Sequence, residues 1–291
     1  MPIPAGIIGT GNMGGAMAQN LLARGWTVRV YDPDTPKITN LERFGAIASV
    51  NSCNVAIDSE VVIVCVVDAA QTEEALFGAH GVTTGLQPGR TVLLCPTIAP
   101  ADTERFAQRL AALGVHTIDA PMSGGPVRAR DGTMSLMVAC EDAHFDAHRE
   151  LLDALANPVF RVSQRVGDGA RTKLVNNLLA AINLAGAAEV MVLAQQLGLN
   201  LGTTLDVIER SSGQSWIGME RMRRAVAGDL EPARAHVTLL EKDSRLALAE
   251  ALAAGADAPL GAQASRVFER AHLAGLAEAD DAVLFRFLGG V

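Results

Sequence analysis

Six residues near the start restrict the fold more than any others. Gly9-Thr10-Gly11-Asn12-Met13-Gly14 follow the apolar run "PAGIIG" and open "NMGGAMAQNLLARG", whose apolar residues recur at helical spacing up to Gly25. A GxGxxG between a strand and a helix is a tight turn, where missing side chains let backbone approach backbone. The helix start it opens carries free N–H donors and the positive end of the dipole, a seat for a pyrophosphate. The next strand, "TVRVYD", ends in Asp32, an acidic residue that can accept from an adenosine ribose and repel a 2′-phosphate. Alone the six-residue pattern is weak, and "DPD" is also good turn chemistry. In the first strand–helix turn of the chain it marks a dinucleotide site. NAD is the expected cofactor, and Lys37 leaves NADP open.

Strand-like runs continue at "VVIVCVV", "TVLLCP" and "VHTIDAP", separated by helical patterns such as "ADTERFAQRLAALG". That alternation predicts a mostly parallel sheet of Rossmann type, covered on both faces. After "MSLMVAC", a helix from about Asp142 and a strand at "PVFRVS", the pattern changes. From Gly167 onward only helices are expected, punctuated by Gly198, Gly213, Gly228, Gly255 and Gly275. The predicted organisation is a dinucleotide-binding α/β domain over residues 1–164 and an all-helical substrate and oligomerisation domain over 165–291. A long interdomain helix, from about residue 167 to 197, joins them.

At 291 residues the chain can bury a sizeable core. A net charge of -8 argues against binding to nucleic acid or an anionic membrane. Residues 178–194 are apolar enough to raise a membrane span, but the run is short and contains Asn183 and Glu189. A buried helix of a soluble protein is expected instead. The first strand begins almost at Met1, which leaves no room for a signal peptide, so the expected compartment is the cytoplasm. Cys53, Cys65, Cys95 and Cys140 form no CxxC pair and read as small hydrophobes, two of them inside strand-like runs. His116, His144 and His148 read as loop or surface positions without metal-ligand spacing, so no metal is expected. The apolar C-terminal helices "APLGAQASRVFERAHLAGL" and "DDAVLFRFLGG" offer more hydrophobic face than a small domain buries alone, which predicts a homodimer or homotetramer.

Two further stretches carry chemistry. In "DAPMSGGPVRARDGTM", Ser123-Gly124-Gly125-Pro126 reads as a helix cap, two permissive glycines and a first-turn proline, a terminus suited to a carboxylate. An ordinary strand-to-helix connection would look much the same. In "GDGARTKLVNNLLAAINLAG", Lys173 stands near the head of an almost uncharged helix, with Asn177 four residues on and so on the same face. Asn176 points elsewhere and reads as structural. An amine there is either at a fraying end in water or held in a dry place.

The nucleotide loop "GTGNMGGAMAQNL", the "DAPMSGGPVRARDGTM" loop, "GDGARTKLVNN" and the later "EKDSRLAL" stand in order over essentially the whole chain. In these motifs the sequence resembles the β-hydroxyacid dehydrogenases. The resemblance implies an NAD(P)-dependent oxidoreductase that moves a hydride between a nicotinamide and a small 3-hydroxy acid or its semialdehyde. It implies Lys173 as general acid/base beside Asn177. Ser123, Gly124 and Gly125 would bind the substrate carboxylate, Lys242 would approach the nicotinamide end, and Asp243 would orient groups of the substrate site. Thr97 would contact the cofactor, and Ser212, Gln214, Ser215 and Trp216 the substrate's variable end. On the residues alone, "EKDSR" is a solvated charge cluster. The chain departs from the family at "LLCPTIAP", where an Asp-x-Ser-Thr segment is usual and only Thr97 survives, and at "VCVVDAA", which lacks a usual proline. Other readings are a catalytically silent dinucleotide-binding protein, an imine reductase and a sugar-acid oxidative decarboxylase.

Overall fold

The computed structural model describes residues 3–290. Two compact units divide the chain, Met1–Lys173 and Leu174–Val291. In the first, the strands are β1 (Ala5–Ile8), β2 (Val28–Tyr31), β3 (Ile47–Ala48), β4 (Val61–Val64), β5 (Thr91–Leu94), β6 (His116–Asp119), β7 (Met122–Ser123), β8 (Met134–Ala139) and β9 (Ala156–Ser163). Its helices are α1 (Asn12–Ala23), α2 (Thr35–Glu42), α3 (Ser52–Ile57), α4 (Ala69–Phe77), α5 (Pro100–Ala111), α6 (Gly125–Asp131), α7 (Asp142–Ala147) and α8 (Arg149–Leu155).

The strands form one sheet in the order β3-β2-β1-β4-β5-β6-β8-β7, with β9 paired to β8. Pairing is parallel from β3 through β6, and β8 runs antiparallel to β6 and β7 but parallel to β9. The central strands are buried along their whole length, as a sheet covered on both faces requires. Successive side chains serve opposite layers. Ile7, Val61, Ile63 and Leu93 pack with Met17 and Leu21 of α1. Ile8, Val62, Val64 and Leu94 pack with Val55, Leu76, Phe106 and Leu110. At Gly6 the sheet and α3 approach closely: a Cβ there would lie 2.4 Å from a methyl of Val55.

Two expectations shift locally. The "VVIVCVV" and "TVLLCP" strands stop at Val64 and Leu94, so Cys65 and Cys95 lie just beyond the strand ends rather than inside them. Cys95 and Cys140 are buried, and burial holds both thiols above their ordinary range. His116 begins β6 rather than lying in a loop, and its ring stacks on His144 with centroids 3.9 Å apart. The two-residue strands β3 and β7 are too short for a periodic signal.

The long helix α9 (Asp168–Gln196) begins in the first unit and continues into the second. There follow α10 (Leu201–Glu209), α11 (Trp216–Ala227), α12 (Val237–Ala253), α13 (Pro259–Ala271) and α14 (Leu284–Gly289). Among the described residues this unit is helical apart from one isolated bridge, His236 to Asp280. Gly198, Gly228 and Gly275 have positive φ, the left-handed geometry that ends a helix or bends the chain. The core joins Ala181, Leu184, Ala188 and Met191 of α9 to Met219, Met222 and Phe268. Beside it, Arg224 pairs with Asp280 at 2.8 Å and Arg221 with Asp281 at 2.5 Å. Burial lifts Asp281 to about 6 despite that partner.

The buried-helix expectation for residues 178–194 fails within one chain. The helix is long and apolar enough to cross a membrane by length and composition, and only a third of its most apolar stretch is buried. Val175, Leu179, Val190, Leu193 and Leu197 are exposed. Apolar residues surround α9 on all sides, while its own unit packs against one of them.

Candidate active site

The nucleotide loop is built by exclusion. Gly9 has φ +87, and a Cβ on it would lie 2.5 Å from the Cys65 carbonyl oxygen. A Cβ on Gly14 would lie 1.9 Å from the Gly9 carbonyl oxygen, so α1 can begin this close to β1 only without one. Gly11 is different: nothing lies within 4 Å of where its Cβ would be. It caps α1 with no side-chain hydrogen bond to the helix amides. Beside it the Thr10 hydroxyl is buried without a hydrogen-bond partner. An open cradle at a helix start and an orphaned hydroxyl beside it together fit an incoming diphosphate. Asn12 is exposed at the head of α1, and Met13 packs partly against the core.

Asp32, just past β2, is buried, and it ties that strand to the loop. One carboxylate oxygen accepts from the Thr10 amide at 2.7 Å and the other from the Asp34 amide at 2.9 Å. Each oxygen keeps a second lone pair for a ribose hydroxyl. Lys37 stands 3.8 Å from Asp32 and 3.1 Å from Asp34. Thr97 is half-buried after β5, on the same sheet edge that carries the nucleotide loop.

The SGG segment departs from its expected geometry. Ser123 ends β7 and is not the helix cap; Gly124 holds that position with φ +132, and Gly125 follows at φ +75. Both glycines adopt backbone that side chains rarely take, so the turn is a shaped feature rather than a routine connection. Pro126 lies in the first turn of α6, as expected.

Lys173 is 8% exposed, as is Asn177 one turn along α9. Lys173 is therefore held in the fold rather than standing at a fraying end. In the second unit the Asn177 amide donates to Asp243 at 2.6 Å, and Lys242 donates to the other Asp243 oxygen at 2.7 Å. The "EKDSR" segment is thus partly inward: Asp243 is buried and holds two neighbours at once. Asn176 supports Asn177: its amide donates to the Asn177 side-chain carbonyl at 3.0 Å. Ser212, Gln214 and Trp216 are exposed, and Ser215 caps α11 by accepting from the Gly218 amide.

Residues 4–166 match the family model described as the NAD binding domain of 6-phosphogluconate dehydrogenase. Residues 167–288 match the NAD-binding domain of NADP-dependent 3-hydroxyisobutyrate dehydrogenase. L-threonate dehydrogenase of Escherichia coli (strain K12) is 34% identical over 98% of this chain and 95% of its own. The chain belongs to the β-hydroxyacid dehydrogenase family. A second relative, 3-hydroxyisobutyrate dehydrogenase of Pseudomonas aeruginosa, is 34% identical over 90% of this chain and 89% of its own. The crystal structure of a 3-hydroxyisobutyrate dehydrogenase from Salmonella typhimurium superposes with a TM-score of 0.92 at 34% identity, covering 98% of this chain and 100% of that one. As a β-hydroxyacid dehydrogenase, this enzyme uses a nicotinamide cofactor and moves a hydride to or from a small hydroxy acid.

One polar residue of this β-hydroxyacid dehydrogenase outside the expected site set, Asp119, is buried and engaged, although the sequence reads it only as the start of a motif. An acidic residue closing the strand-like run "VHTID" was the available signal.

Proposed function

We propose that this β-hydroxyacid dehydrogenase oxidises a small 3-hydroxy acid, or reduces the matching semialdehyde, with Lys173 as its general acid/base. The observation that carries the reading is a buried amine on one helical face with Asn177, in a chain whose nucleotide loop is open for a diphosphate. The bound nicotinamide supplies or accepts the hydride. Lys173 takes the hydroxyl proton as the carbon loses hydride, and returns it to the carbonyl oxygen in the reverse direction. Asn177 donates to the substrate oxygen as a neutral amide, its orientation held by Asp243 and Asn176. Ser123, Gly124 and Gly125 bind the substrate carboxylate, and Lys242 serves the nicotinamide end. Gly9, Gly11, Asn12, Met13, Gly14 and Thr97 serve the cofactor.

NAD is the preferred form. The Asp32 carboxylate stands where a 2′-phosphate would have to enter, and like charges there are costly. Residues 1–164 form the dinucleotide-binding part and 165–291 the substrate and oligomerisation part. The enzyme works in the cytoplasm as a homodimer or homotetramer. On α9 the exposed positions Thr172, Asn176 and Leu179, and two heptads on Gly186, Val190 and Leu193, are spaced by three and four, a seam suited to a helix of another copy. Sedimentation of the purified chain tests this assembly; a monomer, or a protein extracted only with detergent, counts against it.

A panel of hydroxy acids, aldehydes and cyclic imines, run with NAD and NADP and followed by nicotinamide absorbance, tests the reaction. Turnover of a hydroxy acid with NAD is the expected result. Turnover of imines alone, or dinucleotide binding without turnover, overturns the reading.

A further inference from the structure

The helix that carries Lys173 starts with an anchor that its own loop does not supply. Gly167, which precedes α9, has φ +99 and no side chain with which to cap the first turn. Four donors at a helix start need partners, and a buried start without them is costly. The partner comes from β6. One oxygen of Asp119 accepts from the Gly167 amide at 2.8 Å and from the Ala170 amide at 3.1 Å. The Gly169 amide hydrogen-bonds the same carboxylate.

Gly169 records how close this approach is. A Cβ on it would lie 2.9 Å from an Asp119 oxygen and 2.7 Å from the Met137 carbonyl oxygen. Both glycines of the "GDG" stretch therefore serve one contact: Gly167 turns the chain into it, and Gly169 lets the helix settle on the carboxylate.

The carboxylate itself rests on a stiff mount. Asp119 is 1% exposed, and its backbone pairs with Leu94 of β5 on one side and Ala139 of β8 on the other. The chain leaves Asp119 through Ala120 and Pro121 directly into Met122 and Ser123. Lys173 lies four residues after Gly169 and three after Ala170, on the face of α9 that meets the carboxylate. One side chain thus ties the amine's helix to the strand that delivers the SGG turn.

We propose that Asp119 is a positioning residue for the reaction, clamping the first turn of α9 so that the Lys173 amine keeps a set place relative to the Ser123-Gly124-Gly125 turn. This rests on the roles given above to Lys173 and to that turn. The titratable groups bearing on the carboxylate are Asp168, Cys95 and Cys140.

Two variants test the clamp from opposite sides. Asp119→Asn keeps the shape and one acceptor oxygen but removes the charge. Gly169→Ala leaves the carboxylate and forces the helix off it. Each is expected to lower kcat at least tenfold, with the NADH dissociation constant within twofold of wild type and KM for the hydroxy acid within threefold. Competitive acetylation, read by peptide mass spectrometry, is expected to change the Lys173 labelling rate at least threefold against Lys37 as internal standard. Unchanged kcat in both variants overturns the proposal. So does loss of kcat in step with NADH binding, or failure of both variants to fold, since either assigns Asp119 to stability alone. Wild-type enzyme without hydroxy-acid turnover refutes the function reading instead. The labelling then still decides the clamp, and a Lys173 rate within twofold of wild type in Asp119→Asn refutes it.

Discussion

The heads of α1 and α9 look alike in sequence and are filled in opposite ways. Both follow glycines, and neither is capped by a side chain of its own loop. At α1 the cap residue Gly11 supplies no side chain, and the space where its Cβ would be is open. At α9 the amides are taken up by Asp119, a carboxylate of the protein itself. The same helix-terminal electrostatics serves a ligand in one place and a structural anion in the other. Glycine at a helix start therefore signals that an anion will come close, without saying whose it is.

The largest effect should come from the residue that the second head supports. Lys173→Ala is expected to lower kcat by about 10³-fold, within the range for a lost acid/base group. Dinucleotide affinity, measured by fluorescence titration, should change less than twofold. An active Lys173→Ala enzyme would remove the reason to treat α9 as the catalytic helix.

At the first head, Gly11→Ala and Gly14→Ala should separate ligand space from protein space. Gly11→Ala adds a methyl that meets no protein atom, so the thermal midpoint should hold while the NAD dissociation constant rises roughly 10²-fold, about 3 kcal/mol. Gly14→Ala drives a methyl into the Gly9 carbonyl, so it should lower both the thermal midpoint and NAD binding. Equal thermal loss in the two variants would erase the contrast. Asp32→Asn should have a smaller effect, weakening NAD and strengthening NADP by about tenfold each, because it removes one charge at the ribose. Unchanged selectivity would place cofactor discrimination elsewhere.

The smallest and most diagnostic effect is on stability against pH. Burial pushes Asp119 up to about 7, although three amides act in the opposite direction. With the folded-state value above the ordinary carboxylate value, the native protein binds the proton more tightly than the unfolded chain. Its contribution therefore favours folding at the acidic end and is lost as pH rises from about 4 to about 7. Asp119→Asn lacks that dependence. Denaturant titrations of the two proteins across this window should show wild type losing stability relative to the variant as pH rises. A constant difference would mean that the carboxylate does not titrate there.

Much of this was legible in the chain. The alternation of apolar runs specifies the parallel sheet, because strands buried on both faces have to be continuously apolar. The six residues from Gly9 to Gly14 specify the turn, because steric exclusion acts between near neighbours. Less was legible where partners are remote. Asp243 and Asp119 looked like a surface charge and a motif boundary. Their hydrogen-bond partners show otherwise, and two of those partners lie far away in the chain: Asn177 meets Asp243 across 66 residues, and Asp119 meets Gly167 across 48. No local periodicity encodes such a pairing. Helix α9 shows the converse failure: its composition announced burial, yet one chain leaves much of it exposed, because burial depends on what packs against a helix.

The sequence by itself determined the order of the main strands and helices, where the nucleotide turn forms, and that Lys173 and Asn177 share a face. These follow from steric and periodic rules that operate within a few residues. Only the tertiary structure decided that Lys173 is buried, that Asp243 holds Asn177, and that Asp119 rather than a loop side chain caps α9. Burial and hydrogen bonding are properties of neighbours in space, and those neighbours are chosen when the chain closes on itself.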